Sequence, residues 1–283
     1  MHPPVREIQL KCGELTLRGF TNGNTSGKPM LALHGWQDNA GTFLPLVQHF
    51  NAFHFVALDL PGHGQSDWRA GADYGFYRWV LDGFSIADAL EWESFDLLGH
   101  SMGAGISSLM AGAQPSRIRR LALLEGLGPL STPDEEAPRL MEERLTAIQG
   151  GKHKTFRPVA SVEEAIQRRV GPAALLSPDS ARILMKRGLR DSESGLEFSH
   201  DPLLRLPSAI RFTEEQVLAF LRRIQSPTLL IRARSGWPAD PQKMRTRVEA
   251  IPNCTVLEVD GKHHVHLDAP LSVAEELVRH FTG

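Results

Sequence analysis

Short, largely apolar runs recur along the chain at 30–33, 53–58, 95–98, 118–124, 228–231 and 255–259. Runs of that length without strict alternation are those of strands covered on both faces. Between them lie stretches with helical spacing at 43–50 and 77–93, and a small, mostly apolar stretch from Ala104 to Gln114 that reads as a buried helix. Strands and helices alternating at close spacing imply βαβ crossovers and a mostly parallel sheet. Ahead of them, 5–10 and 14–19 alternate only in part around Lys11-Cys12-Gly13, the pattern of an antiparallel hairpin at a sheet edge. In such sheets chemistry gathers at the carboxyl ends of the strands. His34, Asp59, Ser101 and Glu125 all stand at ends of that kind.

The texture changes from Leu127 to Ser226. Charged residues and helix formers dominate, and no clear strand run is present. Ser161-Val162-Glu163-Glu164 and Thr213-Glu214-Glu215-Gln216 match the capping box, and Pro133 precedes the acidic turn Asp134-Glu135-Glu136. The reading is an all-helical insertion, 127–226, that divides a core made of 1–126 and 227–283. A third capping box, Ser272-Val273-Ala274-Glu275, opens the last helix.

At 283 residues, 41% hydrophobic and 23% charged, the chain is long enough for a large core and has the balance of a soluble globular protein. A formal charge of −2 leaves no global basic field for nucleic acid or an anionic membrane, and neither partner is expected. No apolar run approaches the ~20 residues of a membrane helix. The stretch Met1 to Glu7 lacks a basic region leading into an apolar segment, so no secretion signal is expected and a cytoplasmic location follows. Cys12 and Cys254 lie far apart, form no metal or redox motif, and are expected to be free thiols.

The chemistry centres on Gly99-His100-Ser101-Met102-Gly103, directly after one strand run and directly before the small-residue helix. A G-x-S-x-G sequence in that context is a nucleophile turn: the serine is held in strained backbone geometry with its hydroxyl clear of the sheet, and the glycines let neighbouring backbone approach. The N–H of Met102 then sits at the positive end of the helix, ready to donate to an oxyanion. Three histidines, His263, His264 and His266, crowd the loop after the last strand. Their spacing matches no metal motif, no cysteine cluster accompanies them, and no metal is expected.

Four stretches together resemble the α/β-hydrolase superfamily, within it the lidded serine esterases and serine hydrolase-like proteins. They are Leu33-His34-Gly35-Trp36, Asp59 to Ser66, Gly99 to Gly103, and Gly261-Lys262-His263 to Pro270. The resemblance implies a mostly parallel eight-stranded sheet flanked by helices, a helical cap over the active site, and a Ser-acid-His triad needing no cofactor. It makes His263 the general base, by its place on the loop and its spacing to Pro270. The acid is open between two residues. Relatives mostly carry it after the strand at 228–231, where this chain reads Arg232-Ala233-Arg234-Ser235-Gly236 without a carboxylate; Asp240 comes slightly later and could equally cap a helix. Glu125, at the end of the preceding strand, is the preferred acid. The backbone N–H of Trp36, beyond Gly35, is the second oxyanion donor beside Met102.

The expected function is hydrolysis of carboxylic esters of small molecules through an acyl-enzyme on Ser101. Thioester, carbon–carbon and perhydrolytic variants share the same residues, and a non-catalytic ligand-binding protein on the same fold is the alternative from another class. Substrate identity and oligomeric state are not legible. Phe156, Phe198, Phe212 and Phe220 are the insertion's aromatic residues, suited to packing as well as to ligand contact.

Overall fold

In the computed structural model the described residues are 5–72, 74–150, 157–170, 176–193 and 195–283; the first four residues and Phe156 lie outside them. Eight strands form one sheet: β1 (Arg6–Cys12), β2 (Leu15–Thr21), β3 (Lys28–Leu33), β4 (Phe53–Leu58), β5 (Phe95–His100), β6 (Ile118–Leu124), β9 (Thr228–Ser235) and β10 (Cys254–Lys262). Their order is β1-β2-β4-β3-β5-β6-β9-β10. The first two strands form the antiparallel edge hairpin, and every pairing from β4 onward is parallel. A mostly parallel eight-stranded sheet is therefore what the chain builds.

The strands read as apolar runs because alternate residues serve two different cores. In β3, Leu31 and Leu33 face one layer while Met30 and Ala32 face the other. The first layer is covered by α2 (Phe76–Ala89), α3 (Met102–Ala113) and α7 (Glu214–Leu221), which contribute Trp79, Ile106, Met110, Val217 and Leu221. The second is covered by α1 (Leu44–Val47) and α10 (Leu271–Thr282), which contribute Leu46, Val47, Val273, Leu277 and Phe281. The helix expected at 43–50 is shorter than its spacing suggested. It opens as a 3₁₀ turn, Ala40–Phe43, in which the Asn39 side chain accepts from Gly41 N–H, and continues only as α1.

The segment between β6 and β9 is not all-helical. Besides α4 (Ala137–Gln149), α5 (Val162–Arg169), α6 (Pro178–Gly188) and α7, it carries an antiparallel hairpin of β7 (Leu189–Ser192) and β8 (Gly195–Phe198). These strands are four residues each and half exposed, with Arg190 paired to Glu197 across them at 2.9 Å. Too short to show a period, they left no signal in the sequence. Nor does this segment stand wholly apart, since α7 packs into the main core against α3. A second tie is the buried pair of Arg187 with Asp59, Nη2 to Oδ2 3.0 Å, extended by Glu7 at 2.7 Å.

The capping boxes also divide. Thr213 and Gln216 form the full reciprocal pair. Ser161 accepts from Glu164 N–H, but the Glu164 carboxylate reaches Ala160 N–H instead of the cap residue. Ser272 caps nothing: its hydroxyl donates to the Ala269 carbonyl at 2.7 Å, and α10 begins one residue earlier, after Pro270. Among the described residues no helix is long and apolar enough to cross a membrane. Cys12 and Cys254 are free thiols.

Candidate active site

Register brings the candidate groups together. Leu33 pairs with Gly99 and Leu124 with His100, so Ser101 and Glu125 leave the sheet on adjacent strands. Both have left-handed backbone, φ +53° at Ser101 and +55° at Glu125, and Gln37 after the β3 end has φ +58°. Such conformations cost a non-glycine residue on the order of 1–3 kcal/mol and persist where the surroundings over-determine them. Each is pinned by the ladder continuing past the strand: Ser101 N–H donates to the Leu124 carbonyl and Glu125 N–H to that of Ile231, both at 2.9 Å. Gly103 explains the tight turn. A methyl group there would lie 2.0 Å from the Leu33 carbonyl oxygen, so only glycine lets α3 start this close to β3.

His263 follows β10 across a bulge between Val259 and Lys262. Its Nε2 is 2.9 Å from Ser101 Oγ, and its Nδ1 is 3.1 Å from Glu125 Oε2. Glu125 is 3% exposed at the side chain, and besides His263 its hydrogen-bond partners among the described residues are backbone amides. Ala233 N–H donates to Oε1 at 2.5 Å and Trp237 N–H to Oε2 at 2.9 Å. Asp240 is elsewhere: it caps α8 (Pro241–Glu249), accepting from Gln242 and Lys243 N–H. The structure thus brings Ser101, His263 and Glu125 into one hydrogen-bonded line and leaves Asp240 outside it. The same chain can pass a proton from hydroxyl to imidazole while a carboxylate fixes the imidazole tautomer. Met102 N–H opens α3 and has no carbonyl a turn behind it. Trp36, 48% exposed, follows Gly35, where an added methyl group would touch Ser101 Cβ at 3.3 Å.

Behind this line lies a group that spacing could not reveal. His264 Nε2 is 3.0 Å from Asp38 Oδ2, and Arg169 reaches Asp38 Oδ1 at 2.5 Å. Burial would raise the Asp38 carboxyl, but His264, Arg169 and His100 together hold it well below the usual carboxylate range. His100 Nε2 lies 3.0 Å from the His263 carbonyl, which assigns its proton to that nitrogen; Nδ1 is buried without a hydrogen bond, 3.7 Å from Asp38 Oδ2. Asp38, His100 and His264 are also the grouping among the described residues whose ligand atoms, all within 4.8 Å of one another, could hold a cation. The guanidinium of Arg169 already supplies positive charge there. His266 is buried against Thr42 Oγ1 at 2.8 Å. His34 and Asp59 brace loops: His34 accepts from Leu60 N–H, and Asp59 accepts from Ala40 and Gln65 N–H.

Sequence reasoning missed Asp38, Arg169 and Trp237, whose ring centroid is 5.5 Å from that of His263. Trp237 carried one usable signal, its place in the turn where relatives were expected to keep the acid.

The enclosed histidines give a pH dependence. His34, His63, His100 and His266 are fully buried, and burial pushes all four below the ordinary value of 6.5. The unfolded chain therefore takes up these protons first as pH falls. Stability is complete above about pH 6.5 and declines below it, by up to about 1.4 kcal/mol per pH unit for each group. Urea midpoints should be level from pH 8 to 7 and drop steadily from 6.5 to 5. A midpoint unchanged at pH 5 would show that these imidazoles charge without cost.

The family model of the alpha/beta hydrolase fold matches residues 28–270. The chain is 33% identical over 269 residues to a serine hydrolase-like protein of Danio rerio, covering 91% of this chain and 82% of that one. To a probable serine hydrolase of Drosophila melanogaster it is 31% identical over 277 residues, with coverage of 91% and 82%. Among solved structures it is similar to a hypothetical protein of Pseudomonas aeruginosa PAO1, with TM-score 0.91, 38% identity and 98% of each chain covered.

Proposed function

The chain belongs to the alpha/beta hydrolase fold family, in its serine hydrolase-like branch, and on that premise we propose that it is a catalytic serine hydrolase acting on carboxylic esters. The observation that carries the reading is the line Ser101 Oγ, His263 Nε2 and Nδ1, Glu125 Oε2, with steps of 2.9 and 3.1 Å. Ser101 Oγ attacks the ester carbonyl carbon as its proton passes to His263 Nε2. The carbonyl oxygen becomes an oxyanion that accepts from the N–H groups of Trp36 and Met102. Collapse expels the alkoxide, which leaves as alcohol with the proton from His263. Water, deprotonated by the same imidazole, then releases the acid and restores Ser101. Glu125 holds the Nδ1–H tautomer throughout and stabilises the imidazolium. In this reading the segment 127–226 acts as the cap.

A fluorophosphonate tests the reading directly, because it phosphonylates an activated serine and leaves unactivated ones untouched. Intact mass of the wild-type protein should show a single adduct, mapped to Ser101. Folded wild-type protein that takes no adduct would overturn the reading and leave a ligand-binding protein on a hydrolase fold.

Gly236 offers a second, independent test. A methyl group at this position would lie 1.9 Å from Glu125 Oε2, so Gly236→Ala must displace the carboxylate or the loop. Kcat toward a 4-nitrophenyl ester should fall about 10- to 100-fold, as geometry around a catalytic group loosens by an ångström. KM should change little. Unaltered kcat in a folded variant would remove Glu125 from the mechanism.

A further inference from the structure

Helices α5 and α6 are bonded to both of the loops that flank Ser101. On the loop after β3, Asp38 takes Arg169 of α5 at 2.5 Å, and beside it the Asn39 amide donates to the Leu184 carbonyl of α6 at 2.9 Å. On the loop after β10, Asp268 accepts from the Ser180 hydroxyl at 2.6 Å and from Ser177 N–H at 3.2 Å, where α6 begins. Apolar packing follows the same line. Leu267, in the helical turn Val265–Asp268 behind His263, is buried in one cluster with Ile166 of α5 and Ala181 and Leu184 of α6. One helix pair therefore grips both the turn that carries Trp36 and the loop that carries the base.

Asp38 is where the two loops meet. Its N–H donates to the Gly35 carbonyl at 3.2 Å, closing the turn around Trp36. Its Oδ2 meets His264 Nε2 at 3.0 Å, one residue after His263. His100, one residue before Ser101, brings Nδ1 to 3.7 Å from the same oxygen and donates from Nε2 to the His263 carbonyl. The Asp38 side chain is 2% exposed, and a carboxylate so buried stays charged and in place only while its partners do. Arg169 is the partner that α5 supplies. Without it, the carboxylate must draw in water or pull on its neighbours, and those neighbours carry the Trp36 amide and the His263 imidazole. A displacement of about an ångström at such groups is costly to catalysis.

Resting on the hydrolase reading above, we propose that α5 and α6 form a brace in which Arg169, acting through Asp38, is a positioning residue for Trp36 N–H and His263. Neither Arg169 nor Asp38 reacts. The brace serves the transition state, where both groups are engaged, and leaves ground-state binding as it is.

Arg169→Gln removes the charge from a side chain that is 25% exposed, so the variant should fold. Its kcat toward 4-nitrophenyl butyrate, per site titrated with a fluorophosphonate, should fall about 10- to 100-fold with KM within about threefold. Arg169→Lys should recover part of the loss. Asp38→Asn should cost at least as much, and adding Arg169→Gln to it should cost little more, because both act through one contact. Arg182→Gln breaks an exposed ion pair between the same two helices, to Glu163 at 2.9 Å, and should keep the wild-type kcat. Unaltered kcat in folded Arg169→Gln would overturn the proposal, as would losses that multiply in the double variant. A raised KM with intact kcat would overturn it too, by making Arg169 a substrate contact. Hydrogen exchange reads the brace without turnover. Amides of 34–40 and 262–268 should exchange about 10-fold faster or more in Arg169→Gln than in wild-type protein, with those of β5 unchanged. Unchanged exchange in both loops sinks the brace. Wild-type protein with neither turnover nor adduct would remove the hydrolase reading instead, and the exchange result alone would then decide whether α5 and α6 hold these loops.

Discussion

Glu125→Gln is expected to lower kcat for ester hydrolysis by about 10⁴-fold, the loss seen when the acid of a serine-protease triad becomes an amide. The size follows from what surrounds the carboxylate. Ala233 N–H, Trp237 N–H and the His263 Nδ1 proton all point at its two oxygens. A glutamine has one oxygen to offer and turns an NH₂ towards the remaining donors. If the NH₂ faces His263, the imidazole must accept at Nδ1, and its proton moves to Nε2, opposite Ser101 Oγ. That nitrogen can then take no proton from the hydroxyl. If the NH₂ faces a backbone amide instead, a buried donor is left unpaired at about 1–3 kcal/mol. The two routes are read by kcat and by the thermal midpoint. Asp240→Asn keeps an oxygen for Gln242 and Lys243 N–H, and kcat should stay within about twofold. A large loss in Asp240→Asn with none in Glu125→Gln would transfer the acid's role across the loop.

Ser101→Ala carries the largest expected effect. Removing a triad nucleophile costs about 10⁶-fold in kcat, with a residual rate supplied by the oxyanion donors and binding alone. The fluorophosphonate adduct should vanish at the same time. Because Ser101 holds left-handed backbone through the bond from its own N–H to the Leu124 carbonyl, alanine keeps that bond and the variant should fold. Retained turnover with a lost adduct would mean that another group performs the chemistry. Retained turnover with a retained adduct would move the nucleophile away from this turn altogether.

How much of this was legible depends on the range of the interactions. The apolar runs announced the central strands because alternate residues fill two cores, and this signal is local to four to eight residues. The nucleophile turn was equally local, its glycines and serine lying within five positions. Glu125 was visible only as a carboxylate at a strand end. What holds it, the amides of Ala233 and Trp237, comes from more than a hundred residues away. Main-chain groups leave no mark in a sequence, so Glu125 could be preferred to Asp240 only by its place at a strand end. His264 and Asp38, 226 positions apart, meet only because β3 and β10 end on the same edge of the sheet. The β7–β8 hairpin was hidden for another reason. Its strands are too short for alternation to register: Leu189, Leu196 and Phe198 pack against the buried cluster of their own segment, while Arg190 pairs with Glu197 across the strands.

The cradle around Glu125 has an evolutionary consequence. The end of β9 and the loop to α8 offer the Glu125 carboxylate main-chain N–H groups, from Ala233 and Trp237, and nearly every residue type carries an N–H. Their side chains are therefore released to vary. Trp237, 54% exposed at the mouth of the site, can be exchanged for another shape while its amide goes on serving the carboxylate. Selectivity at the entrance and competence of the proton relay become separately mutable traits, coupled at one position only, Gly236, where the missing side chain is what gives the acid its room.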